Sequence, residues 1–350
     1  MLRTLLGTLI GLLAMLLAAE AAFQVLPVSS ATRAGYYIDP HILSYAPDHH
    51  WRLSAGWDLR NPQRLTSNHH GFVSAHQFVP DASAVALIGD SFVEAAALDA
   101  DDRPGAQLER ALGGQRKVYA MGAPGTALLD YAERIRYAHQ AFGIRDFVLL
   151  LERGDMRQAL CGSGNVHSQC LDALTLAPRT QTLPGPSPLK RLLRHSALAQ
   201  YLVGQLKIDP ARLLQQAFRR STPADAPAVN PSPGAALPDG HAAPTMAALE
   251  AVSQAFFARA MPHVQGRLVL VLDANRPALL AGRTLADDPQ RRRFIDLARA
   301  AGAEVVDTEG VYRSHFLRSR LSLDVSPNDQ HLNPLGVGLL ADAAARALAP

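Results

Sequence analysis

The stretch from Val85 to Phe92 constrains the fold of this chain more than any other. Four apolar residues, Val85-Ala86-Leu87-Ile88, run directly into Gly89-Asp90-Ser91. A short apolar run containing β-branched residues is typical of a strand buried in a parallel sheet, and glycine permits a sharp turn after it. Ser91 would then lie beyond the carboxyl end of the strand, where open α/β sheets place their chemistry. The alternative is an ordinary strand-to-helix turn in which Ser91 only caps the helix.

A second stretch, from Pro327 to Gly336, contains the partners that a nucleophilic serine needs. Asp329 and His331 are two residues apart, so in extended backbone their side chains point the same way. The carboxylate can then hold one imidazole nitrogen while the other accepts the serine proton. Alone, Asp-x-His is a weak signal in a chain with 13 histidines. Together with Gly-Asp-Ser-Phe after a strand, it indicates a hydrolytic site.

These stretches resemble sequence blocks of the SGNH (GDSL-type) hydrolase superfamily. Gly89-Asp90-Ser91-Phe92 resembles its first block, Gly122-Ala123-Pro124-Gly125 its second and Asp329-Gln330-His331 its last. Asn68-His69-His70-Gly71-Phe72 resembles the Asn-x-x-Gly-Phe element that precedes the domain in many bacterial members. The resemblance covers residues 66–155 and 245–350. It implies an α/β fold, a flavodoxin-like three-layer sandwich around a parallel sheet.

The resemblance also implies catalytic roles without any cofactor. Ser91 would be the nucleophile, His331 the base and Asp329 the acid that orients it. The family often spaces this acid as Asp-x-x-His, a place that Asn328 holds here, so Asp329 is the only carboxylate near enough in sequence. The backbone amides of Ser91 and Gly125 would form the oxyanion hole.

One block departs from the family pattern. Relatives carry Gly-x-Asn-Asp after the third strand, whereas this chain has Glu152-Arg153-Gly154-Asp155, which places Gly154 at the asparagine. Loss of one oxyanion donor typically costs about 3–4 kcal/mol of transition-state stabilisation. Arg153 could supply a charged donor instead, or it could form a surface ion pair with Glu152 or Asp155. Asp155 is expected to cap the turn rather than act as an acid.

Strands alternate with helices on both sides of the unexplained middle of the chain, which predicts a parallel sheet with right-handed crossovers. The predicted strands are 84–88, 117–121, 147–151, 267–273 and 304–307. The predicted helices are 103–112, 128–142, 246–260, 290–301 and 334–348.

The organisation predicted for the whole chain has five segments. They are an anchor helix (1–26), an extension (27–80), the first half of the hydrolase domain (81–160), an insertion (161–245) and the second half of the domain (246–350). Within the insertion, Leu189–Phe218 resembles one or two basic amphipathic helices that face solvent, substrate or membrane. A Pro/Ala/Gly linker, Thr222–Pro244, follows.

The amino terminus has the features of an export signal. Arg3 precedes an almost wholly apolar run from Leu5 to Ala19, as in the positive and apolar regions of such signals. Glu20 ends the run, and Ala19-Glu20-Ala21 has the A-x-A form of a cleavage site. The resemblance favours an uncleaved, single-pass inner-membrane anchor with the domain in the periplasm, whereas cleavage would release an exported protein.

The cysteines agree with export. Cys161 and Cys170 enclose a polar loop rich in turn formers, and two close cysteines in an oxidising compartment usually pair. A zinc ion bound by these two cysteines would lack a fourth ligand in this loop. The histidine pairs His49-His50 and His69-His70 are expected to be packed or solvated rather than to bind metal.

The charge and composition of the chain limit the classes of partner that it is expected to bind. The net charge is +3, and the basic residues form no stripe interleaved with aromatics, so nucleic-acid binding is not favoured. We therefore expect a serine esterase that acts on acylated envelope or extracellular polysaccharide, or on another ester. A polysaccharide O-acetyltransferase with the same triad and a non-catalytic polysaccharide-binding assembly protein are the alternatives.

Overall fold

The computed structural model describes residues 1–165, 168–183, 185–208 and 244–349. The chain divides into two compact units. Unit 1 comprises Met1–Arg33, His50–Leu65 and Pro184–Asn230, and unit 2 comprises Ala34–His49, Thr66–Leu183 and Pro231–Pro350. The units therefore divide both the predicted extension (27–80) and the predicted insertion (161–245) between them.

Unit 2 contains a five-stranded, wholly parallel sheet in the order β11-β10-β7-β5-β6. The strands of the described chain are β1 (Ala34–Gly35), β2 (Ser44–Tyr45), β3 (His50–Ala55), β4 (Arg60–Thr66), β5 (Val85–Gly89), β6 (Val118–Gly122), β7 (Asp146–Leu151), β8 (Gln169–Leu171), β9 (Pro178–Thr180), β10 (Leu268–Leu272), β11 (Glu304–Asp307), β12 (Asp324–Ser326) and β13 (Asp329–Leu332). The parallel α/β sheet confirms the fold expected from the alternating pattern.

Helices cover both faces of this sheet. The helices of the described chain are α1 (Leu2–Val25), α2 (Ser91–Glu94), α3 (Pro104–Ala111), α4 (Leu128–Phe142), α5 (Asp155–Gln158), α6 (Pro188–Leu193), α7 (Ala197–Ala199), α8 (Met246–Ala260), α9 (Arg276–Leu280), α10 (Pro289–Ala300), α11 (Glu309–Arg318) and α12 (Pro334–Leu348), of which α1, α6 and α7 belong to unit 1. One apolar cluster joins the sheet to α4, α8 and α10, and a second joins it to α3, α11 and α12. Every residue of β5, β6 and β10 is buried, as in parallel strands covered on both faces.

The predicted elements lie where expected. The helices 128–142, 246–260 and 334–348 and the strand 304–307 have the predicted bounds, and the other predicted ends differ by at most one residue. The pattern missed α11, whose apolar residues are few, and the hairpin β12–β13, which was expected to be an extended loop. Helix α6 and the helical segment Ala197–Gln205 occupy the first half of the predicted 189–218 region. Residues 209–218 of that region and most of the predicted 222–244 linker lie outside the described residues.

A disulfide joins Cys161 to Cys170, with an S–S distance of 2.08 Å, and this confirms the predicted pairing. It closes the turn that follows α5 onto β8. Helix α1 is long and apolar enough to cross a membrane, with a mean hydropathy of 2.1 in its most apolar window and none of that window buried. A signal sequence has the same properties.

At Gly122, the last residue of β6, the backbone of α2 packs directly against the sheet. A Cβ added there would lie 2.3 Å from the backbone nitrogen of Glu94 and 2.9 Å from the carbonyl oxygen of Asp90. Because these are backbone atoms, they cannot turn aside as a side chain would. The glycine therefore lets the helix that begins at Ser91 pack against the strand end.

We predict that Gly122→Ala lowers the free energy of unfolding by about 3 kcal/mol, the upper end of typical overpacking costs. Gly310→Ala is the matched control, because a Cβ there meets nothing within 4 Å and the residue lies in α11. Urea denaturation of both variants measures the difference. Equal stability of the two variants would show that α2 does not depend on this contact.

Candidate active site

Ser91 is the first residue of α2, immediately after the turn that ends β5. Asp90 is the residue that caps this helix, since its Oδ1 accepts a hydrogen bond from the Phe92 amide at 2.8 Å. The capping role considered for Ser91 therefore falls to its neighbour. The serine hydroxyl is left to point at a partner outside the helix.

That partner is His331. Its Nε2 lies 2.8 Å from Ser91 Oγ, and its Nδ1 lies 2.6 Å from Asp329 Oδ1. The same carboxylate oxygen accepts a hydrogen bond from the His331 amide at 3.0 Å. Asp329 and His331 project from one side of β13, because side chains two residues apart in a strand share a face. The structure thus joins the three residues in the order that serine catalysis requires.

The pKa shifts of His331 and Asp329 support proton transfer from Ser91 to His331 within the hydrogen-bonded relay Ser91–His331–Asp329. Burial alone would lower the pKa of His331, but the hydrogen bond to Asp329 and the negative charges of Asp329, Asp90 and Glu94 raise it above its usual 6.5. The hydrogen bond to His331 in turn lowers the pKa of Asp329. Asp329 therefore stays ionised and stabilises the imidazolium that forms when His331 takes a proton.

Two buried acids flank the nucleophile. Burial raises the pKa of Asp90 to about 6 and that of Glu94 to about 7. The Tyr45 hydroxyl donates to Glu94 Oε1 at 2.6 Å, so this carboxyl group has a fixed partner. The last residue of α2 is therefore fixed by a strand well upstream in sequence.

The Asn-x-x-Gly-Phe element positions this tyrosine. Asn68 Oδ1 accepts hydrogen bonds from the amides of His70 and Phe72, at 3.0 and 3.1 Å. Gly71 has a φ of +75°, and its carbonyl accepts a hydrogen bond from the Tyr45 amide at 2.8 Å. A Cβ at Gly71 would lie 2.1 Å from the Tyr45 carbonyl oxygen. The element is therefore a tight turn that braces the nucleophile helix through Tyr45.

The loop that carries Gly125 is tied to the nucleophile turn by a buried arginine on α4. Arg134 is 1% exposed, and its guanidinium donates to the carbonyl oxygens of Gly89 at 2.6 Å and Met121 at 3.1 Å. It also donates to Thr126 Oγ1 at 2.8 Å. Gly125 has a φ of +75°, which favours glycine. One side chain thus holds both loops expected to present oxyanion donors.

The segment that departs from the family pattern is arranged as a compact turn. The Gly154 amide donates to Glu152 Oε2 at 2.5 Å, and a Cβ at Gly154 would lie 2.6 Å from that oxygen and from Gln158 Nε2. Asp155 is buried and accepts hydrogen bonds from the Glu152 amide at 2.8 Å and the Tyr131 hydroxyl at 2.9 Å. Its position agrees with a structural role.

Arg153 differs from its neighbours in being exposed. Within the described part of the chain it forms no ion pair with Glu152 or Asp155, and it makes no hydrogen bond. It lines a cavity of about 600 Å³ at the carboxyl ends of β7, β10 and β11, together with Glu152, Asn275 and Asp307. No described contact joins Arg153 to Ser91 or His331.

A second buried arginine, Arg276 on α9, holds the hairpin that carries the acid and the base. It donates to Asp273 Oδ1 at 2.5 Å, to Asp324 Oδ1 at 2.6 Å and to the backbone carbonyl of Gln330. Burial would lower its pKa, but the two carboxylates raise it. Its guanidinium also lies 5.6 Å from the Phe92 ring centroid. Sequence analysis missed this residue, although it follows closely on the most apolar predicted strand.

The paired histidines lie apart from this site. His69 Nδ1 is 2.7 Å from Asp48 Oδ2, and His70 Nδ1 is 2.9 Å from the Tyr137 hydroxyl. His70 also stacks on Phe78. Among the described residues, no group of three His, Cys, Asp or Glu side chains is arranged to hold a metal ion.

Comparison with protein-family models finds none that matches this chain, and comparison with curated proteins finds no relative. The parallel sheet and its flanking helices fit the SGNH-type α/β fold that the motifs predict. Solved structures that resemble this chain are found at low sequence identity.

A lipolytic G-D-S-L family protein from Veillonella parvula is 10% identical, with a TM-score of 0.38, over 75% of this chain and 96% of its own. A mutant of Axe2, an acetyl-xylooligosaccharide esterase from Geobacillus Stearmophilus, is 13% identical, with a TM-score of 0.39, over 78% and 96%. AlinE4, an SGNH-hydrolase family esterase, is 13% identical, with a TM-score of 0.30, over 78% and 100%. At such values these similarities carry no argument about activity, which has to come from the site.

We predict that Arg276→Lys lowers kcat about 10²-fold, because a lysine cannot reach three acceptors and a displacement of about 1 Å can cost this much. Arg267→Lys is the control, since Arg267 lies just before β10, at its opposite end, and donates to the Ala347 and Ala349 carbonyls. Aryl acetate kinetics with circular dichroism would measure both variants. A kcat for Arg276→Lys equal to that of the control would exclude a positioning role.

Proposed function

We propose that this chain is a serine esterase of the SGNH type that hydrolyses ester bonds. The observation that carries the proposal is the unbroken hydrogen-bonded relay from Ser91 Oγ through His331 to Asp329. Such a relay on a strand-end turn is the arrangement that activates a serine hydroxyl near neutral pH. It also weighs against a purely binding role, which needs no base held at the serine.

The proposed reaction begins when His331 Nε2 takes the Ser91 proton and Oγ attacks the ester carbonyl. Asp329 holds Nδ1 and stabilises the imidazolium. The amides of Ser91 and Gly125 receive the negative charge on the former carbonyl oxygen. His331 then returns the proton to the leaving alcohol, and water repeats the sequence to release the acid and free Ser91.

We infer that Arg153 supplies the third donor that the missing asparagine would give. The support is its position on the loop after β7, its exposure and its lack of a partner within the described residues. A cation favours the transition state over the ground state, because only the former carries a full negative charge on oxygen.

The proposed substrates are acylated polysaccharides of the cell envelope or outside the cell. The support is the apolar amino-terminal helix, which is long enough to cross a membrane, and the disulfide, which is typical of exported proteins. The alternative is O-acetyl transfer by the same triad, in which a sugar hydroxyl replaces water as the acceptor. Faster turnover in the presence of a carbohydrate acceptor would identify the transferase.

We propose that α1 stays attached as a single-pass inner-membrane anchor with both units on the periplasmic side. Glu20 accepts hydrogen bonds from the Ser196 hydroxyl and from the amides of Ala197 and Leu198, at 2.7, 2.8 and 3.0 Å. Cleavage after Ala21 would remove this carboxylate from unit 1. A helix that caps another part of its own unit is expected to be retained.

Ser91→Ala and His331→Ala should each reduce aryl acetate hydrolysis at least about 10³-fold, since either change breaks the relay. His69→Ala is the control, because that exposed histidine pairs only with Asp48 among described residues. Covalent labelling by a fluorophosphonate should be lost in Ser91→Ala, which has no nucleophile, and slowed in His331→Ala, which has no base. Hydrolysis that persists in either relay variant would remove that residue from the mechanism.

Asp329→Asn should lower kcat about 10³- to 10⁴-fold by favouring the wrong tautomer of His331. Activity requires neutral His331, so kcat/KM of the wild type should rise with pH through a midpoint above 6.5, the ordinary value that Asp329 raises. In Asp329→Asn the midpoint should move to lower pH. A pH profile that stays in place would show that another group orients the histidine.

Arg153→Ala should lower kcat about 10²-fold with little change in KM, the result expected when a donor acts only in the transition state. Arg157→Ala is the control, because Arg157 is also exposed and lies one turn further along the same segment. Steady-state kinetics on the aryl acetate separate kcat from KM. If the two variants have the same kcat, the oxyanion is held by the backbone amides alone.

A further inference from the structure

Unit 1 contains an interaction surface that the proposed esterase activity does not use. It is built around the carboxyl end of α1. Arg52 on β3 donates to the Leu26 carbonyl at 3.1 Å, and Glu20 receives the amino-terminal end of α7. Phe23 stacks on Tyr201 with ring centroids 4.4 Å apart. The last turns of the apolar helix are therefore fixed to the hairpin β3–β4 and to the segment that contains α6 and α7.

The length of α1 determines how deep in a bilayer these contacts would lie. The stretch from Leu2 to Ala19 spans about 27 Å at ~1.5 Å per residue, close to the hydrocarbon thickness of about 30 Å. Glu20 therefore lies at the boundary between hydrocarbon and headgroups when α1 spans a bilayer. Whatever touches Glu20 lies at the same boundary. The touching segment is Ser196–Leu198, which follows α6 directly.

Helix α6 presents an apolar face to its surroundings. Leu189, Leu192 and Leu193 are spaced i, i+3, i+4, so they share one side of the helix, and all three are exposed, Leu192 by 69%. Lys190 and Arg191, which stand between these leucines in the sequence, are also exposed. Exposed leucines beside cations are typical of a helix that lies in the plane of a membrane interface.

The hairpin adds an aromatic residue to this surface. Trp57, in the turn between β3 and β4, is 73% exposed, and its carbonyl accepts a hydrogen bond from the Tyr201 hydroxyl at 2.7 Å. Tyr201 is the residue that stacks on Phe23 of α1. Tryptophan and tyrosine collect at membrane–water interfaces, because the rings are apolar and their polar atoms stay near the headgroups.

We propose that this surface, formed by Leu189, Leu192, Leu193 and Trp57 with Lys190 and Arg191, is a collar that inserts into the lipid interface around α1. Its partner is a bilayer containing anionic phospholipid, whose phosphates attract the two cations. The collar rests on the proposed anchoring of α1. It holds unit 1 to the membrane by a second contact, so that unit 1 does not swing freely on a single helix.

The test uses the full chain in vesicles of phosphatidylcholine and phosphatidylglycerol. One cysteine is added at a time and carries an environment-sensitive fluorophore, without reductant, so that Cys161–Cys170 stays closed. Leu192→Cys reports on the collar and Leu13→Cys on α1. Arg64→Cys is the control, because Arg64 is exposed on β4 toward the end of the same hairpin that is far from Trp57.

We expect brominated lipid to quench the label at 192 at least half as strongly as the label at 13, and to leave the label at 64 unchanged. Lys190→Gln/Arg191→Gln should reduce the quenching at 192 at least twofold, and only in vesicles that contain phosphatidylglycerol. A label at 192 that iodide reaches and brominated lipid does not, with 13 quenched, would overturn the collar and leave the anchor standing.

A label at 192 that is shielded from both quenchers would mean that protein, such as a second copy of the chain, covers this face, and it would also overturn the proposal. Absence of quenching at 13 would remove the anchor and the collar together. Neither result affects the esterase proposal, which aryl acetate hydrolysis by the same vesicles measures separately.

Discussion

The site depends on how polar groups at the carboxyl ends of buried parallel strands are satisfied. These groups lie where the sheet meets its loops, and unpaired buried polar atoms are costly. Two buried arginines donate hydrogen bonds to these polar groups. Arg134 takes the carbonyls at the ends of β5 and β6, and Arg276 joins Asp273, after β10, to the β12–β13 hairpin. Each arginine therefore holds one half of the Ser91–His331–Asp329 relay in place.

A guanidinium suits this task because it is planar, always charged and carries donors in several directions. The carboxyl groups of the site differ in their electrostatics. Near the nucleophile, burial raises the pKa of Asp90 and Glu94 toward neutrality. At the hairpin, Asp329 stays ionised because His331 donates to it. Asp329, the acid proposed to orient His331, is thus the one that pairs with an ionisable base and keeps partial access to solvent.

The parallel fold could be predicted because buried strands are continuous apolar runs and their helices have their own periodicity. Helix 128–142 and strand 304–307 have the predicted bounds for this reason. The hairpin β12–β13 and helix α11 could not be predicted in this way. Their apolar residues are too few to form a pattern, and only the folded core shows where those residues pack. Tyr45 was missed as well, because its role depends on a contact with Glu94 that spans many residues of sequence.

The sequence by itself predicted the residue types of the relay and the parallel arrangement of the sheet. Gly-Asp-Ser after an apolar strand and Asp-x-His before the last helix contain the residue types that serine catalysis needs, and period-two spacing aligns the acid with the base. Only the tertiary structure decided that Asp90 caps α2 instead of Ser91, that Arg134 and Arg276 hold the loops and that Arg153 is unpaired among described residues. These facts depend on distances between segments far apart in the chain, which no local pattern records.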